Sequence, residues 1–450
     1  MAYPEVVDYS ENQDGTVTLH INAVNPNGNV SKEFSHTTVI RPLSEDSFQY
    51  VSNEIIFPEG DYNIWWHSNR LTKEEWEEAS AGSKEEKGYN LPIDARQRAE
   101  AEDDCNEMMG LISELYKNAD KGCASNVVIA EEVMEQMAEK LKDTGYPVTT
   151  TQIYSNMENY KEAEEFLNAS LAGRIGSVII YKVHSDGGIG RYQYSYDGKD
   201  MYVLSAKAAW GDDDKPVIAY ISNTRIKEWR FTEKGYFCYE LCVPEYPEVT
   251  EIVDGSCMVR VKPQTKENRE MSEKCVLGLG YQGNNLLYSD WDADHMEHLD
   301  YNGMYEYLYA MKYEEQFPSE DYRDGIPKDE FECLIMEYLP VTAEEIQDYA
   351  AFDREKQTYV WGRHGCFNYT PTYFGTSFPE VTDIRENEDG TVTFTVDAVC
   401  SMILCDDAVI THELTVRFSE DGSFQYLGNK ILDDESSNIP VLWFPYTHMG

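Results

Sequence analysis

The chain lacks most of the short strings that mark a reaction. No GxSxG, HExxH, CxxC or Walker A pattern occurs in its 450 residues. Nucleophile-elbow hydrolases, zincins, zinc ribbons, dithiol redox sites and P-loop phosphoryl transfer therefore have no motif behind them. No stretch approaches the ~18 consecutive apolar residues that cross a bilayer as a helix. Basic residues are scarce, with 37 Lys and Arg against 83 Asp and Glu and a net charge of −46. A surface this acidic repels phosphate backbones and anionic lipid headgroups, which argues against nucleic acid as a partner. The ten cysteines are ambiguous. Cys238 and Cys242 lie about 13 Å apart along one expected strand, too far to bridge each other. Cys400 and Cys405 flank an expected turn and read as a candidate pair in an oxidising compartment.

What is present is repetition. "EVVDYSENQDGTVTLHINAV" at 5–24 returns as "EVTDIRENEDGTVTFTVDAV" at 380–399, with twelve of twenty positions identical. "SFQYVSNEI" at 47–55 answers "SFQYLGNKI" at 423–431. Ile64-Trp65-Trp66 has a counterpart in Val441-Leu442-Trp443-Phe444. Val17, Leu19 and Ile21, like Val392, Phe394 and Val396, alternate with polar residues, the period of a half-buried antiparallel strand. A fainter third copy is expected at 246–263, "YPEVTEIVDGSCMVRVKP".

Helical periodicity precedes the later copies. Cys105, Met108, Met109, Ile112, Leu115 and Tyr116 form one stripe; Val133, Met134, Met137 and Leu141 form another, stopped at "TGYP"; "SNMENYKEAEEFL" makes a third. Then comes a meander, "SVIIYKV", "RYQYSY", "MYVLSAK", "VIAYISN", "IKEWRF" and "YFCYEL", punctuated at Asp186-Gly187-Gly188, Asp197-Gly198 and Lys234-Gly235. Helices over 302–317 and from Pro327 onward precede the last copy. The expected class is α+β: tandem modules of helices against one face of curved antiparallel sheets, preceded by an all-β hairpin fragment. The expected divisions are 1–68, 92–288 and 289–450, with the charged segment 69–91 as linker. The first fragment, lacking helices of its own, should expose an apolar face over 3–67 that an upstream module or a second molecule covers.

At "SNMENYKEAEEFL", "TEKGYFCYELCVPEYPEV", "LGLGYQGNNLL", "NGMYEYLYAMK" and "PEVTDIRENEDGTVT" the chain resembles an uncharacterised family, a domain of unknown function in secreted or lipid-anchored proteins of Gram-positive gut anaerobes. The resemblance covers essentially the whole chain. It implies an extracellular protein, tethered to the membrane only through a lipid anchor on the native precursor. It brings no assigned activity and no catalytic residues. The general arrangement is similar to a nuclear-transport-factor-like cone or a cystatin-like sheet, a likeness that carries no function.

Candidate sites are few. "GLGYQG" at 278–283 satisfies GxGxxG, but "NNLLYSDW" follows where a dinucleotide site needs a helix, so a hairpin turn is expected. Asp290, Asp292 and Asp294 in "DWDADHMEHLDY" take the 1, 3 and 5 positions of a calcium loop. His295 stands where that loop needs Gly and Tyr301 where it needs Glu, so only a looser calcium site is open, against the alternative of acids at a helix start. His295 and His298 would share a helix face, as zinc ligands can. His364 and Cys366 in "GRHGC" lack an orienting third group. Tyr192, Tyr194 and Tyr196 share one strand face and are the candidate aromatic platform for a sugar, peptide or small molecule, against a plain core role. No cofactor is expected apart from calcium. The reading is a non-catalytic extracellular protein with a binding or structural role; the alternative is an extracellular hydrolase with paired carboxylates in a concave sheet.

Overall fold

The structure, a computed structural model, describes residues 3–24, 34–44, 47–56, 81–123, 126–211, 214–245, 248–249, 253–361, 377–401 and 407–432. It divides into two compact units, Met1–Glu75 with His364–Thr370 and Trp76–Arg363 with Pro371–Gly450.

In the first unit β1 (Tyr3–Glu11), β2 (Val17–Val24), β3 (Phe34–Ser44) and β4 (Ser47–Ile56) form an antiparallel meander in chain order. The β1–β2 turn is held by its own polar residues. The Asn12 amide donates to the Thr16 and Thr18 hydroxyls, Asp14 accepts from the Thr16 amide and hydroxyl, and Gly15 takes φ 78°. Only a residue without Cβ adopts that angle at little cost, which explains the repeated "DG".

The second unit begins its main body with α1 (Ala95–Asn118), started by an Asp94–Gln97 capping box. The Cys105–Tyr116 stripe is its buried side. Two-residue strands β5 (Gly122–Cys123) and β6 (Asn126–Val127) pair with each other, and α2 (Glu131–Lys142) follows. Then come β7 (Val148–Thr150), α3 (Tyr160–Leu171), β8 (Gly176–Val183), β9 (Ile189–Tyr196), β10 (Met201–Trp210), β11 (Pro216–Phe231), β12 (Tyr236–Leu241) and β13 (Ser256–Arg260). Strands β7 to β13 form one seven-stranded sheet in chain order, antiparallel except for β7 with β8. "VIAYISN" and "IKEWRF" are one long strand, β11, rather than two; register shifts on either side of its middle bend it without a turn. Helices cover both faces of this sheet, not one. Tyr181 and Val183 pack with α1 and α2, while the alternate residues Val178 and Ile180 pack with α3.

After β13 the expected third hairpin copy does not continue. The chain forms α4 (Lys266–Met271), capped by Thr265, and runs on into a π-helical turn, Ser272–Val276. From Cys275 onward most buried apolar side chains belong to the last core, while Val399 and Phe378 pack with Tyr236 and Cys238. That core contains β14 (Trp291–Asp292), α5 (Tyr301–Tyr313), a 3-10 turn (Ser319–Tyr322), β15 (Ile326–Pro327), α6 (Lys328–Tyr338), α7 (Ala343–Tyr349), β16 (Phe352–Asp353) and β17 (Thr358–Tyr359). As the sequence indicates, Pro327 stands at the start of α6 with Asp329 and Glu330 in its first turn. The closing sheet is β18 (Phe378–Glu386), β19 (Val392–Val399), β20 (Ala408–Phe418) and β21 (Phe424–Ile431), with β14 on its edge.

The two ends repeat in three dimensions. Both first hairpins carry a bulge at the same place, between Val6 and Asp8 and between Val381 and Asp383. Asn387, Asp389, Thr391 and Thr393 reproduce the turn network of Asn12, Asp14, Thr16 and Thr18. His36 Nδ1 meets Asn53 Oδ1 at 2.6 Å, and His412 Nδ1 meets Asn429 Oδ1 at 2.5 Å. The class is α+β with helices packed on curved antiparallel sheets.

Candidate functional site

Tyr192, Tyr194 and Tyr196 do share a face of β9, and α3 covers that face. Tyr194 is buried, its hydroxyl 2.9 Å from that of Tyr239 and its ring edge-on to Phe237. Burial drives its phenol well above the ordinary range. The three rings are packed against an apolar core, with Tyr192 and Tyr196 at its margin.

Asp290, Asp292 and Asp294 follow one another through a turn. Asp290 Oδ1 accepts from the Ile431 amide at 2.7 Å, and Asp292 Oδ1 accepts from the Asp294 amide and faces His295 Nδ1 at 2.8 Å. The His295 hydrogen bond holds the Asp292 carboxyl below its ordinary range. Asp290, Asp292 and His295 line a hollow of about 580 Å³ with Glu413 and Lys430. Among the described residues no group of three or more His, Cys, Asp or Glu side chains gathers as for a metal ion. His295 and His298 lie in turns, not on a helix. Trp65, Trp66, His364, Cys366 and Cys405 lie outside the described residues.

"GLGYQG" is neither a phosphate loop nor a hairpin. Its glycines admit α5: a Cβ at Gly278 would collide with Met311, and one at Gly283, itself at φ 71°, would lie 2.6 Å from the Tyr307 hydroxyl. Tyr281, between them, is buried with its hydroxyl 2.9 Å from His412 Nε2.

Sequence periodicity gave no signal for a buried polar seam between the seven-stranded and closing sheets. Arg260 on β13 donates to Glu380 on β18 and, at 2.7 Å, to the Tyr236 hydroxyl, which donates to Glu380 at 2.6 Å. Gln264 donates to the Val381 carbonyl and Asn268 to the Thr382 carbonyl, both side chains fastening the start of α4 to β18. Burial raises the Glu380 carboxyl above its ordinary range, against the pull of Arg260. A second carboxyl pushed up by burial is Asp300, to about 6. Its Oδ1 accepts from the Gly303 amide at the start of α5, and its Oδ2 is buried with no partner. Both groups are fixed inside the fold, and neither lines the clefts along α5, beside α2 or beside β14.

Among the described residues a cleft with an aromatic lining lies along α5 and the 3-10 turn. It measures about 680 Å³ and presents Tyr307, Phe317 and Trp361 beside Glu306, Glu320 and Asp321. Phe317 organises it: Trp361 meets its edge at 5.0 Å, while Tyr322 stacks on it at 4.9 Å. The turn after Pro318 brings Glu320 and Asp321 to the cleft, and α5 supplies Glu306. A somewhat larger hollow of about 720 Å³ beside α2 is lined by Glu132, Glu135, Glu139, Asp143 and Glu158 and by no aromatic side chain. Aromatic faces next to carboxylates suit a ligand with an apolar body and a positive charge.

Comparison with curated proteins yields no match. Over residues 1–70 and 98–445 the sequence matches a family of unknown function, DUF6070, and the stretch left between them overlaps the charged linker. The chain therefore belongs to that family of unknown function.

Proposed function

We propose that this is a non-catalytic binding protein acting outside the cell, held at the membrane by an anchor on its precursor, and that the Tyr307–Phe317–Trp361 cleft receives an amine-bearing ligand. The observation that carries the reading is the cleft itself, lined by three aromatic side chains and three carboxylates, of which Glu320 also pairs with Arg323. A cation over an aromatic face gains about 0.5–2 kcal/mol, more as water leaves. The whole-chain charge of −46 adds a field that raises the local concentration of cations. The carboxyls raised by burial, Asp300 and Glu380, are engaged at a helix start and in an ion pair, which favours binding over acid–base chemistry. The extracellular, lipid-anchored setting rests on the resemblance alone.

Calorimetric titration with choline and with its neutral isostere 3,3-dimethylbutanol tests the ligand class. Choline should bind in the millimolar range and the isostere at least fivefold more weakly; Trp361→Ala should abolish the choline signal while Trp361→Phe retains it. Equal binding of the two compounds, or choline binding untouched by Trp361→Ala, overturns the proposal.

A further inference from the structure

The two end sheets are the same object in different surroundings. In the closing sheet the face bearing Val381, Phe424 and Tyr426 is covered by the layer of helices and turns from α4 to α6. Polar hooks fix that cover in register. The Tyr426 hydroxyl donates to the Cys275 carbonyl at 2.6 Å, Asn429 to the Leu287 and Ser289 carbonyls, and Gln425 to the Met336 carbonyl. His412 meets Tyr281, Val381 accepts from Gln264 through its carbonyl and donates to the Ser272 hydroxyl, and beside that cover Glu380 takes Arg260 and Tyr236 from β13 and β12.

Each of these positions recurs unchanged in the first sheet, as Tyr50, Asn53, Gln49, His36, Val6 and Glu5. Their surroundings differ. On the edge strands Tyr50 is 72% exposed where Tyr426 is 0%, Val6 54% where Val381 is 0%, and Phe48 52% where Phe424 is 8%, while Ile21 and Thr38 on the central strands are buried in this sheet too. Most differences on this face stay apolar, as with Leu19 for Phe394 and Ile21 for Val396. Changes of class concentrate on the other face, as with Ser10 for Arg385 and His20 for Thr395. Thr38 for Leu414 is the exception, and its hydroxyl donates to Asn53. An exposed sheet needs neither an apolar face nor hydrogen-bonding hooks matched to a helical layer, and large apolar patches mark interaction sites.

We infer that the Val6–Phe48–Tyr50 face of β1–β4 docks a partner polypeptide bearing a helical layer built like residues 266–341. The partner's chemistry follows from the covered copy. Its helical layer offers backbone carbonyls to Tyr50, Asn53 and Gln49, and a strand beside that layer, standing where β12 and β13 stand, offers an Arg–Tyr pair to the carboxylate of Glu5. Charge complementarity at Glu5 sets the register, as Arg260 does at Glu380. This chain's own layer is already occupied by β18–β21, so the partner layer is one without such a sheet.

The test is a full-length chain in which residues 378–431 are replaced by residues 3–55, so that the first sheet faces a layer of known build. Amide hydrogen exchange is followed over 275–346, with 101–261 as internal control. Protection of 275–346 should stay within about tenfold of wild type, and Val6→Asp with Tyr50→Asp in the replaced sheet should abolish it. Loss of protection in the unmutated exchange chain, with or without loss in 101–261, overturns the inference. So does sedimentation of the wild-type chain as a dimer that Tyr50→Asp dissociates, because the occupant would then be a second copy's sheet.

Discussion

Arg260, Tyr236 and Glu380 form a closed buried set, and removing one member leaves a charge in a poorly solvated place. Arg260→Met should cost about 3–5 kcal/mol in urea unfolding, with Glu380→Gln added to it recovering much of the loss. A surface ion pair such as Arg323–Glu320 should cost under about 1 kcal/mol when broken. Asp300 behaves differently. Its folded-state carboxyl is raised from 3.8 to about 6, so the folded chain binds the proton more tightly and Asp300 reduces stability as pH rises from about 4 to 6. Asp300→Asn keeps a good N-cap and should add about 1–3 kcal/mol at pH 7.5, a gain that disappears near pH 4. His412, buried, and His184, half-buried just after β8, are lowered by desolvation to about 4 from 6.5, so their contribution is present above 6.5 and lost as pH falls through 4. The two effects oppose each other between pH 4 and 6. Chemical denaturation across pH should therefore show a steeper acid loss in Asp300→Asn than in wild type.

At the scale of elements, Gly283 shows how a motif can be visible and its purpose hidden. Gly283→Ala meets both a positive φ and the Tyr307 hydroxyl, and should cost about 1–3 kcal/mol by thermal unfolding. Because Tyr307 lines the aromatic cleft, the same change should weaken choline binding, which a purely local strain would leave intact. The hairpins were legible because Asp-Gly turns and period-two apolar residues are local signals, and the Cys105–Tyr116 stripe was legible because helical burial repeats every three to four residues. The segment 264–288 was not. It follows a strand-like "SCMVRVK" and carries glycines that suggest turns, yet contacts with residues more than a hundred positions away at β18 decide its course. Arg260 facing Glu380 and Trp361 facing Phe317 are long-range pairings of the same kind, which no window of sequence contains. Alternation along β9 puts Tyr192, Tyr194 and Tyr196 on one face, but that α3 lies over this face is a tertiary fact.

Across the whole molecule, charge and repetition set the behaviour. With a net charge of −46, self-repulsion opposes the compact state, and screening by salt should relieve it. Raising NaCl from 10 to 300 mM should increase Tm by several degrees in calorimetry at fixed protein concentration. The central claim is that one sheet design occurs twice in this chain, covered at the end and exposed along its edge strands β1 and β4 at the start. Native-state hydrogen exchange resolved by peptide tests it most directly, by comparing 5–24 and 35–55 with 380–399 and 411–431. The account predicts at least a hundredfold more protection in the closing sheet than in the first, with Tyr50→Asp leaving the first sheet's exchange unchanged. Equal protection in the two sheets of the isolated chain would contradict it.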